Sequence, residues 1–294
     1  MKNRTHTLLF AAAAAFIVFF APSCSERERE QIIVSVSIEP VKYFVDRLTD
    51  NALEVNVMVP QGASHGTYSP TTAQMQKLSD SRVYFRIGSL GYEQAFIRRL
   101  KDLNPTMREV NLSDGLELIR GETIDHGDHV HEGGIDPHIW MSPQVMLNRL
   151  TVIRDHLIDL YPDLEEVITA NYPALRSEVE EIHHNMQALT QTLTHKRFLI
   201  FHPALTYLAR DYGMEQVSIE HEGKEPTPAQ LARLIRDARA ENIPVIFIQE
   251  EYDVRNAKIV AAETGAQIVT INHLAYNWTA NMNELMDLFN EYLR

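Results

Sequence analysis

The sequence predicts an α/β protein in which two parallel-sheet α/β lobes are joined by a long helix. Short apolar, β-branched runs alternate with amphipathic helical patterns near the start of the chain, and the same alternation restarts near residue 197. Between the two lies a stretch with helical periodicity and no strand pattern. The 294 residues leave room for two cores, since a domain takes roughly 100–200.

The first alternation begins with an Ile- and Val-rich strand at 32–38, then a helical pattern at 40–48 and a strand at 55–59. A helix near 71–79, a strand at 83–87 and a helix over about 91–100 continue it. Helices between strands are what parallel pairing requires, because a tight turn cannot return the chain to the same end of a sheet. The middle stretch reads as one helix over 143–160 and a second from 163 to about 194. In the second, Leu175, Val179, Ile182, Met186, Leu189 and Leu193 recur in steps of three and four, the seam of a helix packed along its length. The heptads are too few for a coiled-coil dimer, so packing within the chain is expected. Pro173 removes a backbone donor and crowds the preceding turn, which predicts a bend or break near 171–173. The second alternation runs strand 198–201, helix 204–212, strand 215–219, helix 228–239, strand 245–248, helix 255–263, strand 267–271 and a last helix to Tyr292. The organisation predicted is 1–23 signal peptide, 24–31 tether, 32–142 N-terminal lobe, 143–196 middle and linker helices, and 197–294 C-terminal lobe.

Lys2 and Arg4 precede an apolar run over 8–20 that is too short to cross a bilayer needing roughly 20 residues. It reads as a signal for export, removed before folding. The run ends at Ala21-Pro22-Ser23-Cys24, and this resembles the lipobox of bacterial lipoproteins, in which the cysteine is acylated and becomes the new N-terminus. The resemblance implies lipidation of Cys24, with the charged 25–30 run as a solvated tether to the membrane. Cys24 is the only cysteine, which excludes an intrachain disulfide, a cysteine zinc finger and an iron–sulfur site. With 27 Lys and Arg against 40 Asp and Glu, the net charge of −13 argues against nucleic acid as a partner.

No phosphate-cradling GxxxxGK[ST] or GxGxxG loop occurs, nor a GxSxG elbow or an HExxH helix. The chemistry-bearing residues that remain are histidines at strand ends and in loops. In open α/β sheets ligands bind beyond the carboxyl ends of the strands. His65 lies just after the second predicted strand, His202 follows strand 198–201 directly, and His138 sits in a loop entering the middle helix. Their separations are too wide for a local metal motif, so spacing alone does not join them.

Their contexts do. Pro60-x-Gly62-x-x-His65-x-x-Tyr68-x-Pro70, Asp136-Pro137-His138-Ile139-Trp140-Met141-Ser142-Pro143, and Phe201-His202-Pro203-Ala204-x-x-Tyr207 resemble the histidine motifs of zinc- and manganese-specific solute-binding proteins of ABC transporters. Glu222-Gly223-Lys224-Glu225-Pro226-Thr227-Pro228 and Ala262-Glu263-Thr264-Gly265-Ala266 are similar to the same family's second lobe. The resemblance implies one divalent transition metal held in the cleft between the lobes by His65, His138 and His202, and delivered to a membrane permease. A monomer, anchored to the membrane by its lipid and exported to the periplasm or cell surface, is expected. Three neutral imidazoles suit zinc, whereas harder manganese prefers carboxylate oxygen, and manganese binders of the family tend to carry Glu where this chain has His202. Zinc is therefore the expected cargo, with manganese the alternative.

The fourth ligand is left open. The family commonly supplies an Asp near the last strand, and the corresponding run here is Ile271-Asn272-His273-Leu274. Asn272, Glu39, Glu220, His273 or a water are the candidates. The stretch 122–135 carries His126, His129 and His131 among acids, and resembles the metal-collecting loop of zinc-binding members. Two other classes of function fit less well. A zinc hydrolase also uses three histidines with an open fourth position, but no general base or hydrolase motif is identifiable. A surface adhesin is compatible with a lipid anchor, yet no residue pattern specifies an extracellular ligand.

Overall fold

The computed structural model describes residues 33–96, 104–121, 124–125, 130–131, 134–220 and 225–294. The predicted signal peptide, Cys24 and the tether lie outside the described residues. So do 97–100 of the expected helix over 91–100, His126, His129 and the run 221–224.

The N-terminal sheet contains β1 (Ile33–Ile38), β2 (Glu54–Val59), β3 (Val83–Arg86) and β4 (Arg108–Asn111), in the order β2-β1-β3-β4. All its pairings are parallel, with Val34 opposite Val55 on one side and Val83 on the other. Helices α1 (Glu39–Thr49) and α2 (Thr72–Ser79) make the crossovers, and residues 91–96 are also helical. Burial on both faces explains the apolar Val83-Tyr84-Phe85 of β3, while in β1 the buried Ser35 and Ser37 are hydrogen-bonded to Ser81 and Tyr84. β4, with the sequence Arg-Glu-Val-Asn, carries no such run because it is an edge strand that buries only Val110 deeply. The sequence reading missed it for that reason. A short antiparallel pair, β5 (Ile124–Asp125) with β6 (Val130–His131), forms in the expected histidine-rich loop.

A 3₁₀ turn (Ile139–Met141) leads into α3 (Pro143–Leu160), which Ser142 caps by accepting the Val145 amide. Then comes α4 (Glu165–Thr192), 28 residues long. It runs continuously through Pro173, so the predicted break does not occur. Pro173 is exposed, while Ile168 before it and Leu175, Val179, Ile182 and Met186 after it are buried against α1, α3 and the final helix. Each such buried aliphatic side chain is worth about 1.5–3 kcal/mol, enough together to hold the helix across one proline.

The C-terminal sheet holds β7 (Arg197–Ile200), β8 (Glu215–Ser218), β9 (Val245–Gln249) and β10 (Gln267–Ile271) in the order β10-β9-β7-β8, again all parallel. Its helices are α5 (Thr206–Asp211), α6 (Pro228–Ala240), α7 (Arg255–Thr264) and α8 (Trp278–Tyr292). One apolar core reaches from β1 through α3 and α4 to Phe198, Phe247 and Phe289, and a smaller core fills the other face of the second sheet. The two-lobed α/β reading holds, and the long α4 packs on helices of both halves.

Candidate metal centre

Loops beyond the carboxyl ends of β2, β7 and β10, and the loop before α3, carry His65, His202, His273 and His138 to one place. Their ring centroids lie 4.7–6.2 Å apart. Two nitrogen pairs come closer: His138 Nε2 is 3.2 Å from His202 Nε2, and His273 Nε2 is 3.3 Å from His65 Nδ1. A tetrahedron with metal–nitrogen bonds of about 2.0–2.1 Å has edges of about 3.3–3.4 Å. These two pairs are thus nearly at the separation that a four-coordinate ion imposes on an edge.

Each histidine is placed by its own local chemistry. After β2 the chain turns at Gly62, whose φ of +78° a side chain would strain. The Ser64 carbonyl then accepts the amides of Thr67 and Tyr68, and the Tyr68 hydroxyl donates to Gln74 at the start of α2. His138 is gripped by Asp136, whose Oδ1 is 2.9 Å from its amide and 3.0 Å from its Nδ1. Asp136 in turn accepts from Thr206 through Oδ2 and from Tyr207 through its carbonyl, which ties this loop to α5. Gln249 at the end of β9 holds the backbone of His202 from both sides, accepting its amide and donating to its carbonyl. The His202 ring has Glu220 at Nδ1 (3.1 Å) and stacks on Tyr252 at 4.7 Å. His273 is fixed through its backbone, because Trp140 Nε1 donates to its carbonyl and Trp278 Nε1 donates to that of Trp140. Both indoles are fully buried, so each donor needs such a partner.

Burial sets the electrostatics. His65, His138 and His273 are at most 3% exposed, whereas the His202 side chain keeps 13%. Burial, with the neighbouring histidines adding repulsion, holds His65 and His273 well below the usual 6.5. Burial lowers His138 too, against the opposing pull of Asp136. For Asp136, burial acts to raise its carboxyl, but the charge and hydrogen bonds of His138 outweigh it and leave it below its usual value. The result is three buried imidazoles held neutral, His65, His138 and His273, with lone pairs available to a cation, and His202 on the side open to solvent.

Residues 34–292 match the family described as zinc-uptake complex component A, periplasmic. The chain belongs to this family. A crystal structure of ZnuA superposes with a TM-score of 0.80 at 30% identity, covering 90% of this chain and 99% of that one. The zinc-binding lipoprotein AdcA of Streptococcus pneumoniae is 25% identical over 276 residues, and the chain spans about half the length of that relative. The high-affinity zinc uptake system protein ZnuA of Bacillus subtilis is 24% identical over 284 residues, 90% of this chain and 88% of its own. The chain places its clustered histidines beyond the strand ends of both sheets.

Of the residues singled out by the sequence, the structure brings together His65, His138, His202 and one of the open candidates, His273. Donor atoms of His65, His138 and His273 lie within 4.8 Å of one another. Of the other candidates, Asn272 and Glu220 have partners of their own. Asn272 Oδ1 accepts the Leu274 amide and shapes the turn. Glu39 opens α1 beside Lys42 and Asp46. Glu220 stands behind His202, on Nδ1, rather than among the facing nitrogens. His131 falls in β6, where only the backbone is described. Sequence reasoning missed Gln249, Glu251 and Tyr252. Their place immediately after a parallel strand is the signal that marks them.

Proposed function

We propose that this chain captures zinc outside the cytoplasm and passes it to an ABC permease for import. The observation that carries this reading is the convergence of four imidazoles from both lobes, with the buried His65, His138 and His273 offering donor atoms within 4.8 Å of one another and His202 Nε2 3.2 Å from His138 Nε2. Nitrogen donors of this softness favour zinc over manganese, whose preference is for carboxylate and water oxygen. The names of the zinc-binding relatives point the same way. Four protein donors also leave no coordination position for a catalytic water, which favours carriage over hydrolysis. Zinc bound to His65 and His138 on one side and His202 and His273 on the other stabilises the closed arrangement of the lobes, by its greater affinity for that arrangement. Export and acylation at Cys24 keep the carrier at the membrane that holds the permease.

The test is elemental analysis of the purified chain after dialysis, with a His65→Ala, His138→Ala and His202→Ala series. One zinc per chain, lost or weakened in each variant, supports the carrier site. Metal that survives all three substitutions overturns it and moves attention to His126, His129 and His131. Preference for manganese over zinc in competition refutes the assignment of cargo.

A further inference from the structure

Three of the four clustered histidines have a carboxylate at Nδ1. Asp136 lies 3.0 Å from that of His138, Glu220 lies 3.1 Å from that of His202, and Glu251 Oε1 lies 3.4 Å from that of His273. The third pair differs from the other two. His273 Nδ1 and Glu251 Oε1 are both buried, and neither has a hydrogen-bond partner, even though they face each other. Two buried polar atoms left unpaired at such a distance are one small ring rotation away from a hydrogen bond.

The proton on the ring decides whether that bond forms. A neutral imidazole carries one N–H, and the other nitrogen offers a lone pair. His273 Nε2 and His65 Nδ1 are 3.3 Å apart, so with no cation between them a proton they share can reside on His273 Nε2. The Nδ1 lone pair then faces an oxygen lone pair of Glu251, and no bond results. A cation at the centre takes the Nε2 lone pair, and the neutral ring must then carry its proton on Nδ1, pointed at Glu251.

We propose that Glu251 is the positioning residue for His273, accepting Nδ1–H and so holding the tautomer and ring setting in which Nε2 binds the metal. This inference rests on the four-histidine shell proposed above. It assigns the carboxylate to the C-terminal lobe, on the loop after β9 beside the strand whose end bears His273. It also explains how a histidine serves at this position: it arrives with its own acceptor.

The experiment measures zinc affinity by chelator competition for the unmodified chain, Glu251→Gln, His273→Ala and the double variant. Outer carboxylates on metal-bound histidines are typically worth about 10–100-fold in affinity, and that loss is expected for Glu251→Gln. In the His273→Ala background the same change should do nothing further. An equal loss in both backgrounds overturns the proposal, because the carboxylate then acts as a general negative charge. An unchanged affinity in Glu251→Gln, with His273→Ala weakened, overturns it while leaving the four-histidine shell standing. An unchanged His273→Ala removes the fourth donor and this inference together. Two readouts bear on position rather than stability. Cobalt loaded into Glu251→Gln should lose visible absorption intensity as water replaces His273. Nitrogen-15 NMR of the zinc-loaded unmodified chain should show His273 protonated on Nδ1, and a proton on Nε2 refutes the proposal without any variant.

Discussion

His273→Ala and Asn272→Ala separate two neighbouring residues that sequence comparison alone cannot rank. The apparent binding free energy of a four-coordinate structural zinc site is about 10–16 kcal/mol, or roughly 2.5–4 kcal/mol for each donor. Water entering the vacated position returns part of this, so His273→Ala should cost about 2–3 kcal/mol, roughly 30–150-fold in dissociation constant. Asn272 makes a different contribution. Its Oδ1 accepts the Leu274 amide at 2.9 Å, a half-buried turn bond worth about 0.5–1.5 kcal/mol to folding. Asn272→Ala should lower stability by that amount and move zinc affinity less than about threefold, within the scatter of a shifted turn. The assay is competition against a chromophoric chelator, run beside urea denaturation of the metal-free chain. If Asn272→Ala weakens zinc and His273→Ala does not, the convergence of the four rings is not the metal shell.

Acidification gives a second expectation. His65, His138 and His273 titrate below the usual 6.5 in the folded state, so the unfolded chain binds more protons as pH falls beneath that value. Stability of the metal-free chain is therefore lost as pH falls from about 6.5, by at most about 1.4 kcal/mol per pH unit for each histidine. Denaturation midpoints at pH 7 and pH 5.5 check this, and an unchanged midpoint contradicts the burial argument. Asp136 contributes only near and below its usual 3.8, outside this window. Trp140→Phe keeps the buried ring but removes the donor to the His273 carbonyl, and should cost about 1–3 kcal/mol in folding, measurable by thermal or urea unfolding. Pro173→Ala should stabilise the chain by about 1–3 kcal/mol, because the exposed proline interrupts a helix that continues on both sides. A lower melting temperature for that variant would show that the proline fits a local distortion in α4.

What the amino-acid sequence determined by itself was the alternation of elements and the lobes they build. Apolar runs of strand length and amphipathic helices are local patterns, and β9 is legible because burial on both faces demands a nearly continuous apolar run. Motifs around His65, His138 and His202 were legible too, since each includes the residues that shape its loop. Gly62 makes the turn, Asp136 grips His138, and Tyr207 bonds back to Asp136. The long-range outcome was decided only in three dimensions. β4 is invisible in sequence because an edge strand needs one buried side chain, and its pairing partner supplies the rest. The fate of α4 at Pro173 depends on side chains of α1, α3 and α8 that hold the helix together from outside. His273 is the sharpest case: 208 residues separate it from His65, yet their nitrogens are 3.3 Å apart. Local patterning cannot convey such a distance. It follows from two parallel sheets whose strand ends face one cleft, and from Trp140 and Trp278 pinning the last loop against the first lobe's exit.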